Sequence, residues 1–158
     1  MKTENQILLE EIISLLRGGN AHLSFQVAVK NVPMDKIGIK LDHTPYSLWQ
    51  LVEHIRIAQW DMLQFCINPK HLSPPWPEGY WPVNCKPFRN EDWFNSIDKI
   101  QSDLEEFILY ISKNNLFTPL DHGSGQNLLR EAFQIADHTS YHSGEIVALR
   151  RILDAWAG

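Results

Sequence analysis

Leu128-Leu129-Arg130-Glu131-Ala132-Phe133-Gln134-Ile135-Ala136-Asp137-His138-Thr139-Ser140-Tyr141-His142-Ser143-Gly144-Glu145-Ile146 is the stretch from which the fold is read. It lies in a longer segment, residues 127–156, that reads as one helix. Leu128, Ala132, Ile135, Ala136, Thr139, Ile146, Leu149 and Leu153 recur at helical spacing and form a buried stripe. His138 and His142 are four apart, so a helix stacks them on one face, one turn above the other. Two neutral imidazoles held this way can grip one divalent metal ion, provided a third ligand comes from elsewhere in the chain. Seven histidines make a chance pair common, so the pair alone decides little.

Around this stretch the composition sets bounds. A chain of 158 residues fits a single domain, here 1–158, and can bury a sizeable core. A 44% share of hydrophobic residues excludes wholesale disorder. The net charge of −5 offers no basic field, so neither nucleic acid nor an anionic membrane is an expected partner. No apolar run reaches the ~18 residues of a membrane span. Met1 to Gln6 turns polar and acidic where a signal peptide needs its apolar core, which predicts a cytoplasmic protein. Cys66 and Cys85 make no disulfide framework and read as free, buried small hydrophobes.

From the N-terminus, Thr3-Glu4-Asn5-Gln6 has the spacing of a capping box and opens a helix that Gly18-Gly19 stops. Asn20 is expected to cap a short second piece, residues 21–31, ended by Pro33, with His22 on its surface or in packing. A linker with His43 follows. Ser47-Leu48-Trp49-Gln50 is a second capping box and opens a strong helix over residues 47–67. Leu51, His54, Ile55, Ala58, Met62 and Phe65 follow its apolar spacing, so His54 sits on or beside the buried stripe. Between residues 69 and 87, six prolines alternate with Trp76, Tyr80 and Trp81 and forbid a helix. The aromatics predict an ordered loop, a crossover plugging a bundle end or a lid, with His71 in solvent. Asn90 is expected to cap a third long helix running to about Asn114, and a turn containing His122 precedes the last.

Four long helical segments without a convincing strand predict an all-α four-helix bundle. The long Pro/Trp-rich crossover between its second and third helices can run the length of the bundle, which allows an up-down-down-up order. One His from the 47–67 helix and two from the last would give a three-histidine site, His54, His138 and His142, with open positions suited to catalysis. Three imidazoles favour a borderline ion such as zinc or nickel over magnesium or calcium. Affinity for it is expected to fall below pH ~6.5, the ordinary imidazole value. Glu145, three residues after His142, and Asp61, seven after His54, are candidate catalytic residues, placed to orient a ligand or shuttle protons. Gly144 is read as permitting close helix approach, and Tyr141 as a core aromatic. A di-iron carboxylate site fails because no helix carries Glu-x-x-His, and a zinc finger fails for want of paired cysteines.

Trp49-Gln50-Leu51-Val52-Glu53-His54-Ile55 and His138-Thr139-Ser140-Tyr141-His142-Ser143-Gly144-Glu145-Ile146 together resemble the DinB-like family, which includes the YfiT-type proteins. The family pattern is a helix-borne His followed near the C-terminus by His-x-x-x-His-x-Gly-(Gln/Glu)-Ile, and the similarity covers nearly the whole chain. Glu145 stands where many relatives carry Gln. The resemblance implies a four-helix bundle, ligands mapping to His54, His138 and His142, a zinc, nickel or similar ion, and a homodimer. It also implies a metal-dependent enzyme acting on a small-molecule substrate, such as a thiol-dependent transferase using a low-molecular-weight thiol, or a hydrolase. The alternative is a non-catalytic metal- or small-ligand-binding bundle.

Overall fold

The computed structural model describes residues 1–156. Among these there are five helices and no strand: α1 Glu4–Arg17, α2 Phe25–Val29, α3 Leu48–Ile67, α4 Asn90–Ile111 and α5 Leu128–Ile152. A single 3-10 turn, Glu78–Tyr80, interrupts the proline-rich loop. No helix among the described residues is long and apolar enough to cross a membrane.

Local chemistry accounts for most of the helix starts. The Thr3 hydroxyl accepts from Gln6 N while the Gln6 side chain accepts from Thr3 N, and Ser47 and Gln50 repeat the arrangement at α3. The Asn127 side chain accepts from Arg130 N at the head of α5. At α2 the cap is Ser24, not Asn20. Asn20 instead donates to the backbone and hydroxyl of Ser14, closing the end of α1 after Gly18 turns the chain at φ 68°. α4 begins at Asn90 with Arg89 as its cap residue, and Asp92 accepts from the Arg89 backbone N–H.

α5 stops at Ile152, short of the expected residue 156. Asp154 takes φ 52°, and the chain folds back so that Ala155 N donates to Arg150 O. The Arg150 guanidinium, 3% exposed, donates to Ala155 O and, across the fold, to Ala28 O of α2. Trp156 lies against the same guanidinium, 4.6 Å from ring centroid to carbon. This buried cation therefore ties the C-terminus and α2 to α5. Arg150→Ala should lower unfolding stability by about 2–4 kcal/mol, because two buried carbonyls lose their donors. Urea melts check this, and a change below about 0.5 kcal/mol, as at an ordinary surface site, would contradict it.

The apolar interior forms two clusters. One joins α2 with the first half of α3 (Leu48, Val52, Ile55), Trp93 and Ile100 of α4, and Ile146 and Leu149 of α5. The other joins α1 (Ile12, Leu16), Leu63 and Cys66 of α3, Leu104 to Ile111 of α4, and Leu128 to Ala136 of α5. The buried polar side chains Gln59, His142 and Ser143 fall between them along α3 and α5, and His54 stands beside Ile55 of the first. Polar groups in such a layer are tolerated only when hydrogen-bonded or ligated. Gln59 meets that condition through Ile100 O.

Candidate metal centre

His54 stands in the second turn of α3, and His138 and His142 stand on consecutive turns near the middle of α5. The two helices bring one ring nitrogen from each within 4.8 Å of the others. His138 Nε2 and His54 Nε2 are 3.0 Å apart. His142 meets the His54 ring edge-on, with centroids 4.6 Å apart.

Each outer nitrogen has its own environment. His54 Nδ1 lies 3.0 Å from Tyr80 O. A carbonyl can only accept, so Nδ1 carries the proton and the Nε2 lone pair faces the cluster. His142 Nδ1 lies 2.6 Å from Glu145 Oε2, which fixes the same tautomer. His138 Nδ1 is buried without a protein partner. Burial holds the His54 imidazole down at about 4, with His142 adding to the shift and the Tyr80 carbonyl opposing it. His138 is held at about 3, first by burial and then by the two neighbouring imidazoles. Both are therefore neutral at physiological pH, the form that binds metal.

This donor set suits a divalent ion. Two nitrogens each ~2.1 Å from one ion lie at most ~4.2 Å apart. The cluster's outer limit of 4.8 Å exceeds that by an amount that small side-chain rotations close. Imidazoles backed by a carbonyl and a carboxylate are the usual support for such ligands.

A roof closes the cluster. Trp81 stacks on His54 at 3.7 Å and 7°, and Tyr46 stacks on the other face of Trp81 at 3.6 Å and 8°. His54 is 2% exposed and His142 8%. Trp81 belongs to the loop whose aromatics were expected to pack on the bundle, but neither it nor Tyr46 was singled out, because nothing periodic in their segments says which residue faces inward.

Of the two carboxylates singled out from sequence, Glu145 reaches the cluster through His142, with its side chain 36% exposed. Asp61 is buried but touches no cluster histidine. It accepts from His71 Nε2 at 2.7 Å and from the Tyr80 hydroxyl at 2.6 Å. His71, expected in solvent, has a side chain only 8% exposed, because it is drawn under the loop onto Asp61 and against Trp60. Tyr141, expected in the core, is 67% exposed and lays its ring against His142 from outside. Gly144 admits no close helix: a Cβ there would meet nothing within 4 Å. His22, His43 and His122 are exposed and outside the cluster, although His22 Nε2 lies 2.9 Å from Ser140 Oγ on α5. Cys66 is buried, with its thiol pushed up to about 12 mainly by burial, while Cys85 is half-buried; both are free. Searches of family models, curated proteins and solved structures return no match to this chain.

Proposed function

We propose that the chain is a DinB-like, metal-dependent enzyme: a single-domain four-helix bundle in up-down-down-up order, with His54, His138 and His142 holding zinc or nickel. One observation carries the metal reading, namely three imidazoles from two helices that bring a ring nitrogen each to one point, with the His54 and His142 Nε2 lone pairs turned inward. The bundle order is supported by the core clusters. The first halves of α3 and α4 share a cluster with the second half of α5, so α3 and α4 run together and α5 runs against them. The C-terminal end of α1 lines a small cavity with Gln59 and Ile100 near mid-bundle, while its earlier residues join the other cluster, which aligns it with α5.

In the enzyme reading, a bound ion lowers the pKa of a water or thiol and supplies a nucleophile at neutral pH. Glu145 holds the His142 Nδ1 proton, and its exposed part is placed to exchange protons with solvent. Trp81 and Tyr46 exclude water from the His54 side. A cavity of about 160 Å³ lined by Tyr46, Leu51, Glu145 and Leu149 adjoins these residues and fits a small apolar group. That supports a small-molecule substrate, with a low-molecular-weight thiol as cosubstrate for a transferase and water for a hydrolase. The net charge of −5 supports a protein that uses neither nucleic acid nor an anionic membrane. A homodimer rests on the family resemblance. The tryptophan count adds little to it, since of the six only Trp76 is among the strongly exposed large hydrophobics.

The depth of burial favours a second reading, a non-catalytic metal- or ligand-binding bundle. Elemental analysis of the purified protein, coupled to turnover assays with several thiols and electrophiles, separates the two. Stoichiometric zinc or nickel with metal-dependent turnover is the expected result. Metal with no turnover in any assay would favour the second reading, and no metal would remove the enzyme and leave only a ligand-binding bundle.

A further inference from the structure

We propose that Asp61 is a positioning residue for the three-histidine centre, acting through Tyr80 to hold the loop whose carbonyl and indole fix His54. The proposal rests on the metal reading for its consequence but not for its geometry.

The loop is fastened to one polar stripe of α3. Ser47 Oγ donates to Cys85 O at 2.5 Å, Gln50 Nε2 to Pro82 O at 2.9 Å, and His54 Nδ1 to Tyr80 O at 3.0 Å. Positions 47, 50 and 54 share a helix face, and 61 follows two turns on. The loop thus runs against α3 from residue 85 back to residue 71, and Asp61 holds its far end.

Both carboxylate oxygens of Asp61 are committed, Oδ1 to His71 and Oδ2 to the Tyr80 hydroxyl. Neither faces the cluster, so Asp61 moves no proton to the histidines directly. Its connection to them is mechanical. Tyr80 uses its hydroxyl on Asp61 and its carbonyl on His54, two turns apart on α3. A tyrosine gripped at both ends sets the height and rotation of the chain between them. Trp81, the next residue, then lies flat on the His54 ring. Pro74, Pro75 and Pro77, between the two Asp61 partners, stiffen the segment and limit slack. Burial first, then Asp61, pushes the Tyr80 phenol up to about 12, so it remains an O–H donor at neutral pH.

Removing the Asp61 grip should free the Tyr80 carbonyl, and His54 would then sample both tautomers. A loose imidazole is a poorer ligand, and losing such outer support costs roughly 10- to 100-fold in metal affinity.

The test compares wild type with Asp61→Asn, Tyr80→Phe and the double variant. Tyr80→Phe removes one hydroxyl and keeps the fold even if Asp61→Asn does not. The first readout is the pair of ¹⁵N imidazole shifts of His54 in metal-free protein. Wild type should show the Nδ1–H form, and each single variant an averaged pair. The second is zinc affinity, expected to fall about 10-fold in each single variant and no further in the double, since the two residues act as one unit. Unchanged His54 shifts in both single variants would overturn the proposal, even if both melt earlier. So would additive losses in the double. If wild type binds no zinc, the metal reading fails alone, and the imidazole shifts still decide the role of Asp61.

Discussion

Replacing His54, His138 or His142 with Ala should weaken zinc or nickel binding by roughly 100-fold or more while leaving the helices intact. A structural zinc site of four ligands is worth ~10–16 kcal/mol, so one lost ligand amounts to ~3 kcal/mol. The helices should survive, because each replacement leaves both apolar clusters and the helix caps intact. His22, His43 and His122 serve as controls, and their replacement should change affinity by less than about 3-fold. His71 is not a clean control. It shares Asp61 with Tyr80, so His71→Ala should show an intermediate loss through the loop. The measurement is metal titration of wild type and the seven single variants, with circular dichroism confirming helix content. Wild-type affinity in all three cluster variants would make these histidines ordinary interior residues and remove the metalloenzyme reading with them.

The three-histidine cluster was legible because it follows from local geometry. A helix places His138 over His142 whatever surrounds it, and the apolar spacing of α3 turns His54 toward the interior. The capping boxes at Thr3 and Ser47 were legible for the same reason, since donor and acceptor lie three residues apart. What escaped depends on contacts distant in sequence. Leu153 and Ala155 continue the apolar character of α5, yet the helix ends at Ile152 with Arg150 bonded to Ala28, 122 positions away. The roof over the cluster comes from Tyr46 and Trp81, and no period in their segments marks either as inward. Asp61 stood out as an acid on the right helix, but its partners His71 and Tyr80 come from a loop whose path the sequence does not specify. A signal was nonetheless present: Ser47, Gln50, His54 and Asp61 form a buried polar stripe along α3, which requires partners from some other part of the chain.

Metal-free protein should lose stability steeply as pH falls from about 6.5 toward 4, and bound zinc should oppose that loss. In the unfolded chain both imidazoles titrate near 6.5. In the folded chain burial holds His54 at about 4 and His138 at about 3. Above 6.5 both states carry the two rings neutral, so these rings give no pH dependence. Below 6.5 the unfolded state takes protons that the folded state refuses, and each ring costs up to ~1.4 kcal/mol per pH unit. By pH 5 the combined loss is on the order of 2–4 kcal/mol, a large part of a typical domain's stability. The loss continues until the folded rings titrate. Glu131 acts in the opposite sense at the lower end of the window, because burial raises its carboxyl. In the folded site, proton competition at His54 and His138 is deferred to their lowered values. Thermal or urea melts of chelator-treated protein between pH 7.5 and 4.5 measure the effect, and His138→Gln should remove close to half of the slope. A midpoint that stays flat from pH 7 to 5 in the metal-free wild type would show that these rings are not held neutral by the fold. The pairing of α3 with α5 at the cluster would then be wrong.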